Sequence, residues 1–338
     1  MKSSQTTALA LFSGGLDSTL ASRVVTSQGI KVVAVKFVTP FFGYELLAKK
    51  DDYIRKIKET ASIELILKDV TIPYLEMLKD PAHGYGRNFN PCIDCKIFLL
   101  KEAKKMMQEF NASFLITGEV VGQRPMSQRR DTLRTIERES GCENILVRPL
   151  CAKNLQPTQA ELNGLIDREQ LLDFSGRNRK PQMQLAERFD ITEYPSPAGG
   201  CILTDPILSL RIRNYYEEHE KIVPEDVLLL LLGRQFKFPS GGWLVVGRNK
   251  QENNRLESQK QPGDWMLRPD NFPGPTVILR YSQNDKELQL AASILVRYSK
   301  KAISVQGKFK ILAEKDGKVI SLDTVATQDN NYLSWQKK

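Results

Sequence analysis

The sequence predicts an α/β fold, in which a doubly wound parallel sheet is followed by a smaller α+β domain at the C-terminus. In the first third of the 338 residues, short apolar runs rich in β-branched side chains alternate with stretches of helical spacing. This alternation is typical of a parallel sheet that carries helices on both faces. From Gly241 onward the pattern changes to short strands and turns, which indicates a second body of different architecture.

Four strands and three helices are predicted in the first third. The run over 31–38 (KVVAVKFV) is the clearest strand, and the helix over 96–110 places Ile97, Leu100 and Ala103 at near-helical spacing. The remaining strands are expected over 8–12, 64–70 and 113–118, and the remaining helices over 20–27 and 51–62.

The middle of the chain is more polar and irregular. Helices are expected over 159–174 and 181–189, with a loop rich in Pro and Gly over 194–201. Residues 207–232 have a helical pattern and are expected to close the first body, and a last helix is expected over 286–298. The predicted parts are an α/β part over 1–150, the remainder of the same body over 151–232, and a basic part over 233–338.

Composition places the chain among globular cytoplasmic proteins. Hydrophobic residues make up 41% and charged residues 26%, and no apolar stretch approaches the ~20 residues that cross a bilayer. The N-terminal apolar run is only five residues long and is typical of a first strand, not of a signal peptide. Five cysteines are odd in number and sparse, so a disulfide scaffold is not expected. The sequence predicts no membrane partner.

Positive charge is concentrated in the last third of the chain. Residues 233–338 hold 18 Lys and Arg against 10 Asp and Glu, whereas residues 1–232 hold 31 against 30. A cationic part on a near-neutral body favours a polyanionic partner, RNA or DNA, although a lysine-rich solubilising surface would have the same composition.

The segment 12–19 (FSGGLDST) joins the first predicted strand to the first helix. Gly14 and Gly15 let the backbone turn tightly and approach a ligand with no Cβ in the way. The N-terminus of the following helix offers free N–H groups to an anion, and the Ser and Thr side chains of the segment add hydroxyl donors. The segment lacks the Lys of a GxxxxGK[ST] loop and is not GxGxxG, so it predicts a phosphate-binding loop of another kind.

This segment resembles SGGxDS, the pyrophosphate loop of the PP-loop ATPases (adenine-nucleotide α-hydrolases), which have a HUP-like fold. The resemblance implies that ATP is bound with Mg²⁺ and cleaved between its α and β phosphates, so that a carbonyl-type oxygen is adenylated. It implies that Asp17 helps to hold Mg²⁺, and that adenine lies near residues 35–38, where an open parallel sheet binds ligands. The implied ATP-binding residues are Ser13, Gly14, Gly15, Asp17, Ser18, Thr19, Lys36, Phe37 and Gly118.

Three cysteines form a second candidate site. Cys92 and Cys95 (NPCIDCK) open a predicted helix, whose N-terminus stabilises thiolates, and Cys201 follows in a glycine-rich loop. Three thiolates could hold three corners of a 4Fe–4S cluster, with the fourth iron free to bind sulfide. Alternatively, Cys201 could carry a persulfide that one CxxC cysteine resolves through a disulfide. A structural zinc site needs four ligands, and neither His83 nor His219 stands at a distance in sequence from the cysteines that is typical of zinc ligands.

Together, the loop and the cysteines resemble the tRNA thiolation enzymes of the ThiI and MnmA type over about residues 5–210. NPCIDCK and SPAGGCILTDP stand where those enzymes carry their cysteines, and LITGE resembles their ATGH segment, with Glu119 in place of the histidine. The resemblance implies tRNA as substrate and either a sulfur donor protein or free sulfide, and it leaves the modified nucleoside and the oligomeric state open. The implied catalytic residues are Asp17, Cys92, Cys95 and Cys201, and the three cysteines would also be the metal ligands of a cluster.

Two further features of this region carry weaker predictions. Cys142 and Cys151 have no partner at a suitable spacing and are expected to lie in the core. A cationic stretch after the fourth strand could contact ATP phosphates or an RNA backbone, or could be a solvated helix face. Its arginines are Arg124, Arg129, Arg130, Arg134 and Arg138.

The C-terminal third resembles the NFACT-R domain, which is regarded as RNA-binding. The segments GRN, GDW, PGPTV and AAS…YSK follow in the order of that domain, but Leu267 and Thr276 replace its two usual histidines. The resemblance therefore implies nucleic-acid binding without catalysis. Trp265 could be a stacking platform for bases or a core residue.

The sequence predicts an ATP-dependent tRNA sulfurtransferase that thiolates uridine through an adenylated intermediate. Two alternatives remain: a PP-loop enzyme that thiolates or amidates a small molecule, and an RNA-binding, translation-associated factor with a vestigial nucleotide site.

Overall fold

The structure, a computed structural model, describes residues 5–195, 200–299, 307–327 and 330–337. It divides into two compact units, Met1–Asp205 and Pro206–Lys338. Residues 196–199 of the predicted Pro/Gly loop and Lys300 of the YSK segment lie outside the described residues. Within the described residues, no helix is both long and apolar enough to cross a membrane.

The first unit contains a five-stranded parallel sheet of order β3-β2-β1-β4-β5. The order reverses between β1 and β4, and this switch point is where open parallel sheets bind ligands. The doubly wound parallel sheet predicted from the sequence is confirmed. Its strands are β1 (Thr7–Leu11), β2 (Lys31–Val38), β3 (Glu64–Asp69), β4 (Phe114–Thr117) and β5 (Leu146–Val147).

Both faces of this sheet are covered because its side chains alternate between two apolar layers. Ala8 and Ala10 of β1 pack with Leu20 and Val24 on one face, whereas Leu9 packs with a second layer on the other. The helices of the unit are α1 (Leu16–Thr26), α2 (Lys50–Ala61), α3 (Thr71–Met77), α4 (Cys92–Met106), α5 (Arg130–Ser140), α6 (Gln159–Leu162) and α7 (Lys180–Arg188).

The second unit is built on a seven-stranded antiparallel sheet of order β11-β10-β8-β9-β7-β6-β12. Its strands are β6 (Arg234–Lys237), β7 (Trp243–Val246), β8 (Trp265–Pro269), β9 (Val277–Arg280), β10 (Phe309–Lys315), β11 (Lys318–Thr324) and β12 (Gln336–Lys337). Its helices are α8 (Pro206–Glu218), α9 (Pro224–Leu230), α10 (Lys250–Ser258) and α11 (Asp285–Arg297). This unit confirms the predicted α+β domain.

Two sequence-based expectations about helices are wrong. The helix expected over 159–174 ends at Leu162, because Gly164 adopts φ +69°, a left-handed conformation that stops an α-helix. The helical stretch expected over 207–232 is two helices, and Pro224 opens the second, where its missing N–H costs nothing.

Helices α8 and α9 lie in the second unit, although the sequence analysis placed them in the first body. Leu229 of α9 packs with Val245 and Ile278 of the antiparallel sheet, so apolar burial ties this helix to that sheet. The division at residue 205 therefore differs from the predicted boundary at residue 232, which stays a prediction.

Candidate active site

The phosphate loop lies at the switch point of the parallel sheet, between β1 and α1. The Phe12 N–H donates to the Val35 carbonyl at 2.8 Å and ties the start of the loop to β2. Gly14 has φ +84°, and a Cβ there would lie 2.8 Å from the Tyr53 hydroxyl. Only glycine fits this conformation and this space without rearrangement.

Hydroxyl groups of the loop form hydrogen bonds within the turn. Ser18 Oγ and Thr19 Oγ1 donate to the Gly15 carbonyl at 2.8 and 3.2 Å, and Ser13 Oγ lies 3.1 Å from Ser18 Oγ. No side chain of the described residues caps α1 at Gly15, so its first-turn N–H groups face the loop and suit an anion.

Gly118, just after β4, lets the strand approach the first turn of α1 closely. A Cβ at this position would lie 2.4 Å from the Asp17 carbonyl carbon and 2.5 Å from the Ser18 nitrogen, both backbone atoms that cannot give way. The structure thus gives Gly118 a packing role beside the phosphate loop. Its predicted contact with ATP stays a prediction.

Asp17 is held by two side chains that the sequence analysis did not assign to the site. Gln123 Nε2 donates to Asp17 Oδ2 at 2.8 Å, and Arg179 Nη2 lies 3.5 Å from Asp17 Oδ1. Gln182, which is buried, donates to Gln123 at 3.2 Å and fixes it in turn. Arg179 and Gln182 lie more than 160 residues from the loop without a motif, so only the fold brings them there.

The side chains of Lys36 and Phe37, near the end of β2, lie in different surroundings. The Lys36 ammonium donates to the Ser13 carbonyl and lies 5.9 Å from the centre of the Tyr53 ring. Burial lowers the pKa of Lys36, and nearby Glu45 partly opposes this shift. The Phe37 side chain is buried in the core, so an adenine contact from this residue would come from its backbone.

The Cys201 loop is docked against the segment that leads into α4. Asn88 Nδ2 donates to the Thr204 carbonyl at 2.7 Å, and the Phe89 N–H donates to the Leu203 carbonyl at 3.2 Å. Cys92 opens α4 and accepts a hydrogen bond from Asn90 at 2.9 Å. These bonds bring residues far apart in sequence to one edge of the unit.

The three predicted cysteines lie close enough to influence one another electrostatically. Burial raises the pKa of Cys95 to about 11, with smaller upward contributions from Cys201 and Cys92. Burial also raises the pKa of Cys201, as does Cys92, whereas the Leu203 backbone and Arg124 oppose this increase. The lowered pKa expected at the start of α4 is therefore wrong for Cys95, where desolvation outweighs the hydrogen bond from Tyr74 and the charge of Lys96.

The described thiols do not form a ready metal site. No group of three or more His, Cys, Asp or Glu side chains within the described ranges is arranged to hold a metal ion. Cys95 is hydrogen-bonded to the Tyr74 hydroxyl and, with a pKa of about 11, stays protonated near neutral pH. Metal binding displaces the proton of a thiol ligand, so the raised pKa makes ligation by Cys95 more dependent on pH and does not exclude a cluster.

A buried ion network surrounds Glu119, which stands where the ATGH segment has its histidine. Glu119 accepts from Arg148 Nε at 3.0 Å and lies 3.4 Å from Lys96 Nζ, and Arg148 also pairs with Glu137. Lys96 and Arg148 hold the pKa of Glu119 below its usual range against the effect of burial. The carboxylate at this position is thus fully committed to ion pairs. Cys151, which donates to the Glu119 carbonyl, is buried.

Two family models match separate parts of the chain. Residues 3–156 match the model described as thiamine biosynthesis protein (ThiI), and residues 233–336 match the NFACT protein RNA binding domain. The two resemblances are confirmed. The ThiI match includes the phosphate loop and the CxxC pair, and the NFACT match includes the strands of the antiparallel sheet.

Curated relatives of the first part are described as probable tRNA sulfurtransferases. One from Thermococcus kodakarensis is 23% identical over 214 residues, 63% of this chain and 48% of that protein. One from Ureaplasma parvum is 30% identical over 146 residues, 43% of this chain and 36% of that protein. The chain thus spans less than half the length of these relatives.

Among solved structures, a 4-thiouridine synthetase–RNA complex with bound ATP is similar to part of the chain. The sequence identity is 22% and the TM-score is 0.35, over 55% of this chain and 52% of that one.

Proposed function

We propose that this protein is an ATP-dependent tRNA sulfurtransferase that thiolates a uridine. The observation that carries the proposal is the convergence of Cys92, Cys95 and Cys201 in the unit that also holds the phosphate loop. The match of residues 3–156 to ThiI and the relatives described as probable tRNA sulfurtransferases support the reaction class.

The phosphate loop would bind the triphosphate of ATP through the first-turn N–H groups of α1 and the serine hydroxyls. Mg²⁺ is usually held by one or two carboxylates together with phosphate oxygens, so Asp17 beside the loop fits this ion. When bound, Mg²⁺ neutralises charge on the phosphates. Gln123 and Arg179 orient Asp17 for that contact.

In the first step, a carbonyl oxygen of uridine attacks the α-phosphorus of ATP. The bond to the bridging oxygen breaks, pyrophosphate leaves, and the oxygen becomes adenylated. This activates the uridine carbon, because AMP is a far better leaving group than the original oxygen. The second alternative, a vestigial nucleotide site, predicts that no pyrophosphate is released in the presence of tRNA.

In the second step, a persulfide on Cys201 delivers the sulfur. Its terminal sulfur attacks the activated carbon, and AMP leaves with the C–O bonding pair. A thiolate then attacks Sγ of Cys201, which releases the thiocarbonyl and leaves a disulfide. A cellular thiol reductant then reduces this disulfide to two thiols. We assign this attack to Cys92 because desolvation of the sulfur raises the pKa of Cys95 to about 11, so little thiolate is present at Cys95 near neutral pH. A donor protein that carries a persulfide would transfer its outer sulfur to the Cys201 thiolate and leave as a thiol, whereas free sulfide could form the persulfide only by attacking the Cys92–Cys201 disulfide of the preceding turnover, which releases the Cys92 thiolate.

The experiment that tests this function measures thiolated nucleoside in tRNA after incubation with MgATP and a persulfide donor. Cys201→Ser is expected to abolish thiolation and to retain pyrophosphate release, because only the sulfur step needs the thiol. Cys142→Ser is the matched control, since this cysteine lies in the core. Thiolation by the Cys201→Ser protein would contradict the proposal, and thiolation of a small molecule in place of tRNA would favour the first alternative.

An arginine-lined groove in the first unit suits the tRNA backbone. Arg130, Arg134 and Arg138 occupy successive turns of α5, about 6 Å apart, and border about 1460 Å³ of free space, part of it open solvent. Three glutamates lie on the same border, of which Glu137 pairs with buried Arg148 and Glu161 pairs with Arg168, while Glu143 is the third. Arg138 pairs with Glu139, so Arg130, Arg134 and Lys153 supply the positive charge. The face therefore keeps positive charge for phosphate groups.

A further inference from the structure

The second unit contains a small pocket that is lined by aromatic side chains and partly open to solvent. Tyr215 and His219 come from α8 and the residues after it, Trp243 begins β7, and Tyr281 follows β9. All of its lining residues belong to the second unit.

One buried carboxylate fixes two of these rings. Tyr215 and Tyr281 each donate their hydroxyl to Asp226 Oδ2 at 2.8 Å, while Arg280 Nη1 donates to Oδ1 of the same carboxylate at 2.8 Å. Trp243 is fixed separately, because its indole N–H donates to Gln235 Oε1 at 2.6 Å. Rings that are already held lose little freedom when a flat ligand binds.

The backbone of Tyr281 has an unusual conformation, and its ring lies where it could contact a ligand. Its φ of +57° lies in the left-handed region, which costs energy for a bulky side chain. Half of its surface is exposed (50%), although its hydroxyl is bonded to a buried carboxylate. The surrounding network thus holds an aromatic face open at the edge of the pocket.

The pocket also offers polar groups at its edge. His219 Nδ1 lies 3.0 Å from the Tyr215 carbonyl, which can only accept, so Nε2 of the neutral ring is an acceptor. Within the described part of the chain, neither His219 Nε2 nor the Asn214 side chain has a hydrogen-bond partner. The His219 acceptor and the Asn214 amide could form hydrogen bonds with the edge of a nucleobase. The aromatic rings beside them could stack on its faces.

We propose that this pocket binds one unpaired nucleobase of the RNA partner. The proposal rests on the proposed function for the presence of RNA, and it adds a base-reading contact to backbone attraction. The charge of +8 over residues 233–338 favours RNA over an apolar peptide, which would need neither cations nor an open amide. Trp265, the stacking platform suggested by the sequence, packs against the core and has Lys315 5.6 Å from its ring centre.

The test uses the full chain and two short RNAs of equal length and charge, one of mixed unpaired sequence and one abasic at every position. Trp265→Phe and Trp335→Phe leave Trp243 as the only tryptophan. The base-containing RNA is expected to quench Trp243 fluorescence, and the abasic RNA is not. This readout reports stacking at the pocket, which a change in overall stability would not reproduce.

In the otherwise unchanged protein, Tyr281→Ala is expected to weaken binding of the base-containing RNA roughly tenfold by fluorescence anisotropy, with no effect on the abasic RNA. Tyr281→Phe keeps the ring and should retain most of the affinity. Leu312→Ala, at a partly exposed position of β10, is the control and should change neither.

Equal binding of the two RNAs, or equal effects of Tyr281→Ala on both, would overturn the proposal, as would displacement of Trp243 quenching only by an apolar peptide. Binding is measured without ATP and without turnover. A negative result would leave the thiolation proposal standing, and a failure of thiolation in the wild-type protein would leave base binding intact.

Discussion

At the scale of single residues, the phosphate loop depends on one glycine outside it. Gly118 touches the backbone of Asp17 and Ser18, and a methyl group there would overlap with atoms that cannot move independently. The residue was named from a motif as an ATP contact, but its packing against α1 could not be derived from sequence, because the close approach of β4 and α1 arises only in the assembled sheet.

Gly118→Ala is expected to destabilise the protein by about 1–3 kcal/mol and to weaken ATP binding, because α1 must shift to accept the methyl group. Urea unfolding and ATP titration measure the two effects. Gly15→Ala is the stability control, since its Cβ would meet only Ser13 Oγ at 3.5 Å. An unchanged unfolding midpoint for Gly118→Ala would contradict the close contact between β4 and α1.

The buried thiol of Cys95 carries a prediction about pH. Its pKa is raised to about 11, so its thiolate fraction at pH 8 is about 0.001, against about 0.2 for a free cysteine. Alkylation of Cys95 by iodoacetamide is therefore expected to be at least about 100-fold slower than that of a free cysteine, and to accelerate with pH up to about 11. Peptide mass spectrometry measures the rate in a Cys92→Ser, Cys201→Ser protein. Fast alkylation at pH 7 would contradict the burial.

At the scale of elements, the sequence located the central strands well and the middle helices poorly. The strand over 31–38 coincides with β2, because an apolar β-branched run bounded by polar residues has few alternatives in a parallel sheet. The helix over 159–174 was overextended, since its apolar spacing continues past Gly164 although the backbone turns there. The β10–β11 hairpin was not predicted.

The arginine face of α5 is predicted to contact RNA phosphates. Arg134→Gln should weaken tRNA binding and lower the slope of log K against log salt by about 1, because one phosphate contact and its counterion release are lost. Filter binding across a salt series measures the slope. Arg188→Gln, an exposed arginine at the end of α7, is the matched control. Identical slopes for the two variants would exclude the groove from the RNA contact surface.

The buried pairing of Arg280 with Asp226 and Asp264 is predicted to be essential for the second unit. Both contacts are 2.8 Å, and all three side chains are nearly inaccessible. Arg280→Gln would leave two buried carboxylates without their cation and is expected to cost about 3–5 kcal/mol in urea unfolding. Arg255→Gln, on the exposed side of α10, should cost less than about 0.5 kcal/mol. A similar small loss for both would contradict the network.

At the scale of the whole molecule, sequence and structure agree on the fold class. The phosphate loop and the three cysteines could be selected in advance because glycine and cysteine have few roles at such spacings. The positioning residues Gln123, Arg179 and Arg148 could not, since polar side chains become partners of Asp17 and Glu119 only through long-range folding.

The sequence left cluster and persulfide chemistry open, because three cysteines suit either one. The proposed persulfide route needs only Cys92 and Cys201, so it does not depend on a thiolate at Cys95, whose pKa is raised to about 11. Under this proposal, anaerobically purified protein is expected to contain no iron or acid-labile sulfide.

A single-turnover experiment tests the sulfur chemistry most directly. Protein charged with persulfide at Cys201 is mixed with tRNA and MgATP without reductant, and tryptic peptides are mapped by mass spectrometry. One Cys92–Cys201 disulfide is expected for each thiolated nucleoside formed, and neither product is expected with Cys92→Ser. Thiolation without a disulfide, or activity that depends on about four bound irons per chain, would contradict it.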